Sequence, residues 1–208
     1  GIRDAQESRG LGDVYKRQHE AAAAVEAAAG ERVLDLCAAP GGKSVALAIA
    51  MQDSGVVVAC DPDPHRLQRV VANVGRLGLT AIQARVLHSA DAAAARDAQF
   101  DAVLVDAPCS NTGVIARRPE ARLGLTAKKL RSLVATQAEL LNRALGLARV
   151  GGRVVYSTCS IEPEENDRLV RQVLSGTSGW CIEAEQTTLP AWGPRLADWR
   201  DGGYWARL

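Results

Sequence analysis

From Arg32 onward, short apolar runs alternate with segments whose apolar positions recur every three or four residues, the pattern of βαβ units around a buried parallel sheet. The runs are Val33 to Leu36, Val56 to Cys60, Ile82 to Leu87, Ala102 to Val105 and Arg153 to Tyr156. Asp63 and Pro64 have the chemistry of an N-cap and a first helical residue, and Gly78 that of a stop, so a helix is predicted to about Leu77. After Thr126 a longer helix sets Leu130, Leu133, Val134, Gln137, Leu140, Leu141, Ala144, Leu145 and Ala148 on one stripe, which is a core face. Pro163 is expected to open another helix with Glu164 and Glu165 in its first turn, where carboxylates are favoured. Trp180 to Glu185 and Tyr204 to Leu208 are candidate closing strands, and an alanine-rich helix from about Glu20 to Ala29 precedes the first run.

A length of 208 residues suits one α/β domain better than two. With 47% apolar and 24% charged residues the composition is that of a globular chain, and no stretch approaches the ~20 apolar residues of a membrane helix. The formal charge of +1 exerts no global pull on nucleic acid, so such a partner must be held by a local basic patch. Cysteines 37, 60, 109, 159 and 181 form no Cys-x-x-Cys pair, and His19, His65 and His88 stand near none of them, which argues against a metal site. An odd cysteine count without a secretory leader also argues against a disulfide framework and for a reducing, cytoplasmic setting. Residues 1–18 carry scattered charges and no period; they resemble adaptor read-through or a cloning scar, with a disordered leader as the alternative. The domain is therefore expected to span residues 19–208, cut short of natural N-terminal sequence.

In a sheet of this kind ligands sit beyond the carboxyl ends of the strands, where the strand order reverses. The unusual residues follow the apolar runs in turn: Cys37 to Lys43, then Asp61, Asp91, Asp106 to Cys109, and Thr158 to Ser160. The loop Cys37-Ala38-Ala39-Pro40-Gly41-Gly42-Lys43 joins a strand to a helix, and its small residues let the backbone approach a ligand at the helix N-terminus. It is no P-loop, because Cys37 stands where that motif needs glycine, and it lacks the Gly-x-Gly-x-x-Gly of dinucleotide folds. A tight turn without a ligand is the bland alternative. Asp61 stands where a carboxylate accepts hydrogen bonds from a ribose diol, although an aspartate before Pro62 is also ordinary turn chemistry. The run Asp106-Ala107-Pro108-Cys109-Ser110 brings a carboxylate and a thiol to the same cleft, and Thr158-Cys159-Ser160 brings a second thiol. One such cysteine is commonly an inert small hydrophobe; two beside a cofactor loop point to chemistry.

Together these residues resemble the RNA cytosine carbon-5 methyltransferases of the bacterial 16S ribosomal RNA type, relatives of the nucleolar and tRNA enzymes, from about Gln18 to Leu208. The most specific parts are Leu34-Asp35-Leu36 leading into Cys37 to Lys43, Asp106 to Ser110, and Thr158-Cys159-Ser160 followed by Pro163-Glu164-Glu165-Asn166. The ending Asp201 to Leu208 resembles the family's closing strand, with Gly203 where aromatics are usual. The resemblance implies a Rossmann-like α/β fold of the class I methyltransferases, with a mostly parallel seven-stranded sheet, its last strand antiparallel and helices on both faces. It implies S-adenosylmethionine on Cys37, Ala38, Ala39, Pro40, Gly41, Gly42 and Lys43, with Asp61 on the ribose, Asp91 near the adenine and Asp106 beside methyl donor and target base. Cys159 resembles the nucleophile that adds to cytosine carbon 6, needed because carbon 5 is itself a poor nucleophile. Cys109 resembles the residue that assists its release, and Asp106 is a candidate to hold the base edge.

Between Arg117 and Arg131 six basic residues, Arg117, Arg118, Arg122, Lys128, Lys129 and Arg131, face only Glu120, enough for an RNA backbone or for a merely solvated helix face. The target cytosine is expected unpaired or flipped out, since a helix hides its carbon 6. Ribosomal RNA is the preferred substrate, with tRNA, or a non-catalytic RNA-binding assembly factor of the same fold, as alternatives. A DNA cytosine methyltransferase would use the Pro-Cys thiol and has no need of Cys159.

Overall fold

The computed structural model describes residues 20–86, 99–193 and 199–208. Seven strands, β1 (Arg32–Asp35), β2 (Val56–Asp61), β3 (Ile82–Val86), β4 (Phe100–Asp106), β5 (Ala148–Thr158), β6 (Ala184–Thr188) and β7 (Gly203–Arg207), form one sheet in the order β3-β2-β1-β4-β5-β7-β6. Pairing is parallel from β3 across to β5, and β7 runs antiparallel to both β5 and β6. The Rossmann-like arrangement and the antiparallel last strand are as expected. The order reverses between β1 and β4, which places the ligand crevice over those two strands.

Alternation along the buried strands divides the core. Val33, Val57, Ala59, Ala102, Leu104 and Val155 face Leu47 and Ala48 of α1 (Gly42–Ala50) and Leu67 and Val70 of α2 (Pro64–Leu77). Leu34, Val58, Val103, Val105, Val154 and Tyr156 face the other way, against a second layer of helices. After the short α3 (Glu120–Gly124), that layer is built by Leu141, Ala144 and Leu145 of α4 (Ala127–Leu147) and by Leu169, Val170 and Val173 of α5 (Asp167–Ser175). The α2 caps form as read: Asp63 accepts from the His65 and Arg66 backbone N–H, Pro64 occupies the first turn, and Gly78 ends the helix at φ 67°. Thr126 caps α4 by accepting from the Lys129 N–H.

Three expectations need correction. Of the expected strand 180–185 only Ala184 and Glu185 are strand; β6 spans Ala184–Thr188, and Trp180 and Ile182 instead pack against the core from outside the sheet. Because β6 sits at the sheet edge and pairs only with β7, its polar Glu185, Gln186 and Thr187 can face solvent, which hides it from an apolar-run search. Pro163–Glu165 is a single 3-10 turn, and α5 starts only at Asp167. The N-terminal helix ends at residue 24 rather than 29, since Glu26 takes φ 52°. Here Arg153 of β5 captures the freed carbonyls: its guanidinium donates to Val25 O, to Glu26 O at 2.9 Å and to both oxygens of Glu31 at 3.0 and 2.6 Å.

Removing that clamp should be measurable. Arg153→Ala strands two carbonyls and a carboxylate, so it should cost about 2 kcal/mol, or roughly 6 °C in Tm for a domain of this size. Burial works against the Glu31 charge, but the hydrogen bonds from Arg153 and the Ala28 N–H, together with the Arg153 charge, outweigh it and lower its pKa below the ordinary 4.5. The contribution is therefore present above pH 4.5 and is lost as pH falls through the folded value. Thermal melts across that range should show the wild-type advantage narrowing with acid.

Candidate active site

The carboxyl ends of β1, β2, β4 and β5 open into one cleft of about 1110 Å³, whose walls include Cys37, Lys43, Asp61, Asp106, Cys109 and Cys159. Four of the five runs singled out by sequence converge; Asp91 lies outside the described residues.

The loop between β1 and α1 is shaped by its small residues and held from α2. Ala39–Pro40 is a cis peptide, and Gly41 sits at φ 105°, where a side chain would be strained and its Cβ would meet Val70 Cα at 3.3 Å. Arg66 donates to Ala39 O at 3.3 Å and Asn73 to Pro40 O at 3.0 Å. Neither anchor was foreseen; both lie on the α2 face that periodicity marks only as polar. Cys37 is half-buried, and burial together with Asp35, Asp106 and Asp61 pushes its thiol far above its ordinary range. It stays an inert wall.

Asp61 is 1% exposed. Its Oδ1 accepts from the Asp63 N–H at 3.0 Å, while Oδ2 has no hydrogen-bond partner among the described residues and only an ion pair with Arg66 at 3.5 Å. A buried carboxylate oxygen without a hydrogen bond at a cleft wall is a costly feature unless a ligand hydroxyl completes it.

At the cleft floor Lys43 Nζ pairs with Asp106 Oδ2 at 2.6 Å, and Ser157 Oγ donates to Asp106 Oδ1 at 3.0 Å. Burial opposes the Lys43 charge, but Asp106, then Asp35 and Cys159, raise its pKa above the ordinary value. Lys43 therefore turns from the loop toward the thiols. Beneath it Asp35 accepts from Ser44 Oγ at 2.7 Å, and burial pushes it up to about 6.

The two thiols meet. Cys109 Sγ lies 3.2 Å from Cys159 Sγ, and Cys159 donates its own hydrogen to Asn111 Oδ1 at 3.0 Å. A thiol has one hydrogen, so between the sulfurs Cys109 must be donor and Cys159 acceptor. The hydrogen bond from Cys109 accordingly lowers the Cys159 pKa, against burial and Asp106 and with help from Lys43 and Arg118. The same bond, together with burial, holds Cys109 well above its ordinary value. Asn111, in the left-handed region at φ 61°, also donates to Cys109 O at 3.0 Å, so one side chain braces both thiols.

Behind the thiols lies a buried polar network whose members sequence reasoning did not connect. Glu165 accepts from Ser110 and Gln137, and Asn166 joins Thr158 to Ser160. Two signals were available: Gln137 in an otherwise apolar stripe, and a carboxylate after the Thr-Cys-Ser run. Backbone contact completes the frame, with Gly113 N–H donating to Cys159 O at 3.0 Å and Gly202 N–H to Gly113 O at 2.6 Å. A Cβ on Gly113 would stand 2.3 Å from Gly202 O, so this approach requires glycine. Of the basic run, Arg117 and Arg118 reach the cleft, Arg117 paired with Asp201 at 3.2 Å, while Arg122, Lys128, Lys129 and Arg131 are exposed along α3 and α4. Among the described residues no cluster could hold a metal ion, and no helix is long and apolar enough to cross a membrane.

Known proteins resemble the chain in sequence and in fold. A Klebsiella pneumoniae ribosomal RNA small subunit methyltransferase B is 38% identical over 181 residues, 86% of this chain and 42% of that protein. The Pseudomonas syringae protein of the same name is 42% identical over 163 residues, 76% of this chain and 36% of the relative. The chain thus spans less than half the length of these relatives. The crystal structure of NSun6 from Pyrococcus horikoshii with SFG superposes with a TM-score of 0.76 at 26% identity, over 91% of this chain and 50% of that one. The sequence pattern of the family described as 16S rRNA methyltransferase RsmB/F covers residues 22–191, and with that the chain belongs to this family.

Proposed function

We propose that residues 19–208 form the catalytic domain of a cytoplasmic enzyme that transfers a methyl group from S-adenosylmethionine to carbon 5 of a cytosine in ribosomal RNA. The observation that carries this reading is the directed thiol pair, Cys109 donating to Cys159 at 3.2 Å in the same cleft as a buried aspartate with an uncompleted oxygen. The residues fit the cofactor. Asp61 Oδ2 offers an acceptor to a ribose hydroxyl, the 37–43 backbone offers a close approach, and the cleft volume exceeds the few hundred Å³ that a small ligand occupies. Asp91 is assigned to the adenine. When bound, S-adenosylmethionine supplies an electrophilic sulfonium methyl group.

The protein's own task is to make carbon 5 nucleophilic. Cys159, the thiol with the depressed pKa, loses its proton to water and adds through its thiolate sulfur to cytosine carbon 6, and the electron pair of the 5,6 double bond moves toward carbon 5. Asp106, anchored by Lys43 and Ser157, holds the base edge and steadies the adduct. After methylation the carbon 5 proton passes to water, its bonding pair re-forms the double bond, and the carbon–sulfur bond breaks with its pair on Cys159. Cys109 faces that departing sulfur and assists the release. An unpaired or flipped cytosine reaches the thiols with its backbone along the exposed Arg118, Arg122 and Lys128 side chains.

Asp61→Ala should weaken S-adenosylmethionine binding about thirtyfold, the loss of one hydrogen bond to a charged group worth about 2 kcal/mol. Calorimetry measures it, and an unchanged affinity would remove Asp61 from the cofactor site. With Cys159→Ala, RNA and cofactor should give neither product nor a covalent complex on a denaturing gel. With Cys109→Ala, methyl transfer should proceed while release stalls, leaving an RNase-sensitive protein–RNA species; the pH midpoint of Cys159 alkylation should also rise toward the ordinary 9.0 because its donor is gone. RNA affinity should fall steeply with salt, and Arg118→Ala with Lys128→Ala should reduce the slope of log K against log salt by roughly 2, one for each phosphate that is no longer neutralised.

A further inference from the structure

Glu165 is fully buried, touches neither sulfur and has no part in the chemistry above. Its position is unusual for a carboxylate, because a buried charge is expensive and an apolar side chain would fill the same space at less cost. Both its oxygens are engaged. Oε1 accepts from the Ser110 backbone N–H at 2.9 Å and from Gln137 Nε2 at 2.9 Å, and Oε2 accepts from the Ser110 hydroxyl. Ser110 directly follows Cys109. Gln137 also donates to Pro108 O at 2.8 Å, so the residues on both sides of Cys109 lead back to one carboxylate.

The partner thiol is held from the next residue along. Asn166 accepts from Thr158 Oγ1 at 2.6 Å and donates to Ser160 O at 2.9 Å, enclosing Cys159 from both sides. The two clamps are joined, since Ser110 Oγ lies 3.0 Å from Ser160 Oγ, and they are rooted in β5 by the Tyr156 hydroxyl donating to Glu165 O at 2.8 Å. Two consecutive residues, Glu165 and Asn166, thus each govern one thiol loop. We propose that Glu165 is the positioning residue of the thiol pair: through Ser110 it sets Cys109 against Cys159 and so keeps the release step in register with bond formation. This rests on the covalent reading above.

The test compares Glu165→Ala, Glu165→Gln and Cys109→Ala in the full chain, incubated with target RNA and S-adenosylmethionine. Glu165→Ala should accumulate the covalent protein–RNA species and slow product release roughly a hundredfold, the scale of a 1 Å misplacement. Glu165→Gln retains an acceptor for the Ser110 N–H and a donor for the Ser110 oxygen, so it should restore release. A merely structural residue would lower stability and all activity together without building up adduct. Should Glu165→Ala not fold, Ser110→Ala, which removes the hydroxyl link alone, must show the same accumulation in lesser degree. Release at the wild-type rate in the folded variants overturns the proposal, as does a Glu165→Gln variant that behaves like Glu165→Ala, which would make charge rather than position the cause. If Cys109→Ala itself builds no adduct, the covalent reading fails. Relative alkylation of the two thiols by iodoacetamide then decides: the wild-type preference for Cys159 should shrink in Glu165→Ala and return in Glu165→Gln, and an unchanged preference discards the positioning role.

Discussion

The parallel pairing of β4 with β5, Asp106 opposite Ser157, is the constraint on which the site depends. Strands paired in register end together, so the loops that leave them start side by side, and the Ala107 N–H donating to Ser157 O at 2.9 Å extends that register by a further residue. Cysteines that follow the paired positions closely are thereby brought to one place although far apart in sequence. Neither loop could achieve this alone, because a free loop samples many positions and a sulfur–sulfur contact tolerates few. A slip in the pairing would separate the sulfurs and also part Asp106 from the Ser157 hydroxyl.

Two residues of the same type acquire opposite characters from surroundings a few ångströms apart. Cys159 has a thiol donor on one side and Lys43 nearby, while Cys109 has a sulfur acceptor and the Glu165 charge. The asymmetry is geometric before it is electrostatic, since Asn111 takes the Cys159 hydrogen and leaves Cys109 no role but donor. Lys43 contributes by remaining charged: tied to Asp106, it lends a cation to the cleft floor, above the buried Asp35.

Most of the frame was legible in the sequence because buried parallel strands and capped helices leave strong local marks. Val56 to Cys60 and Ala102 to Val105 are apolar on both faces, and Asp63, Pro64 and Gly78 are punctuation whose chemistry has few other uses. β6 is displaced toward the C-terminus of the expected strand 180–185 for the converse reason, its residues answering to an edge position and not to a core. The thiols were legible as motif residues, but their separation and direction arise from β4–β5 register and from Asn111, which no spacing rule reveals. Gln137 was read as one more member of a core stripe, and so it is by position; only the packed structure shows that its amide faces a carboxylate across the layer.

The place of β7 carries a consequence for how the molecule comes together. It lies between β5 and β6, so β6, made earlier in the chain, has no hydrogen-bonding partner until β7 arrives. The approach to β7 also brings Gly202 against Gly113, and Gly113 against the carbonyl of Cys159. During synthesis, the strands carrying both sulfurs can thus pair and pack while one wall of their cleft is still missing. A nascent chain would pass through a stage with both sulfurs in place but their frame unlatched, and β7 acts as the latch.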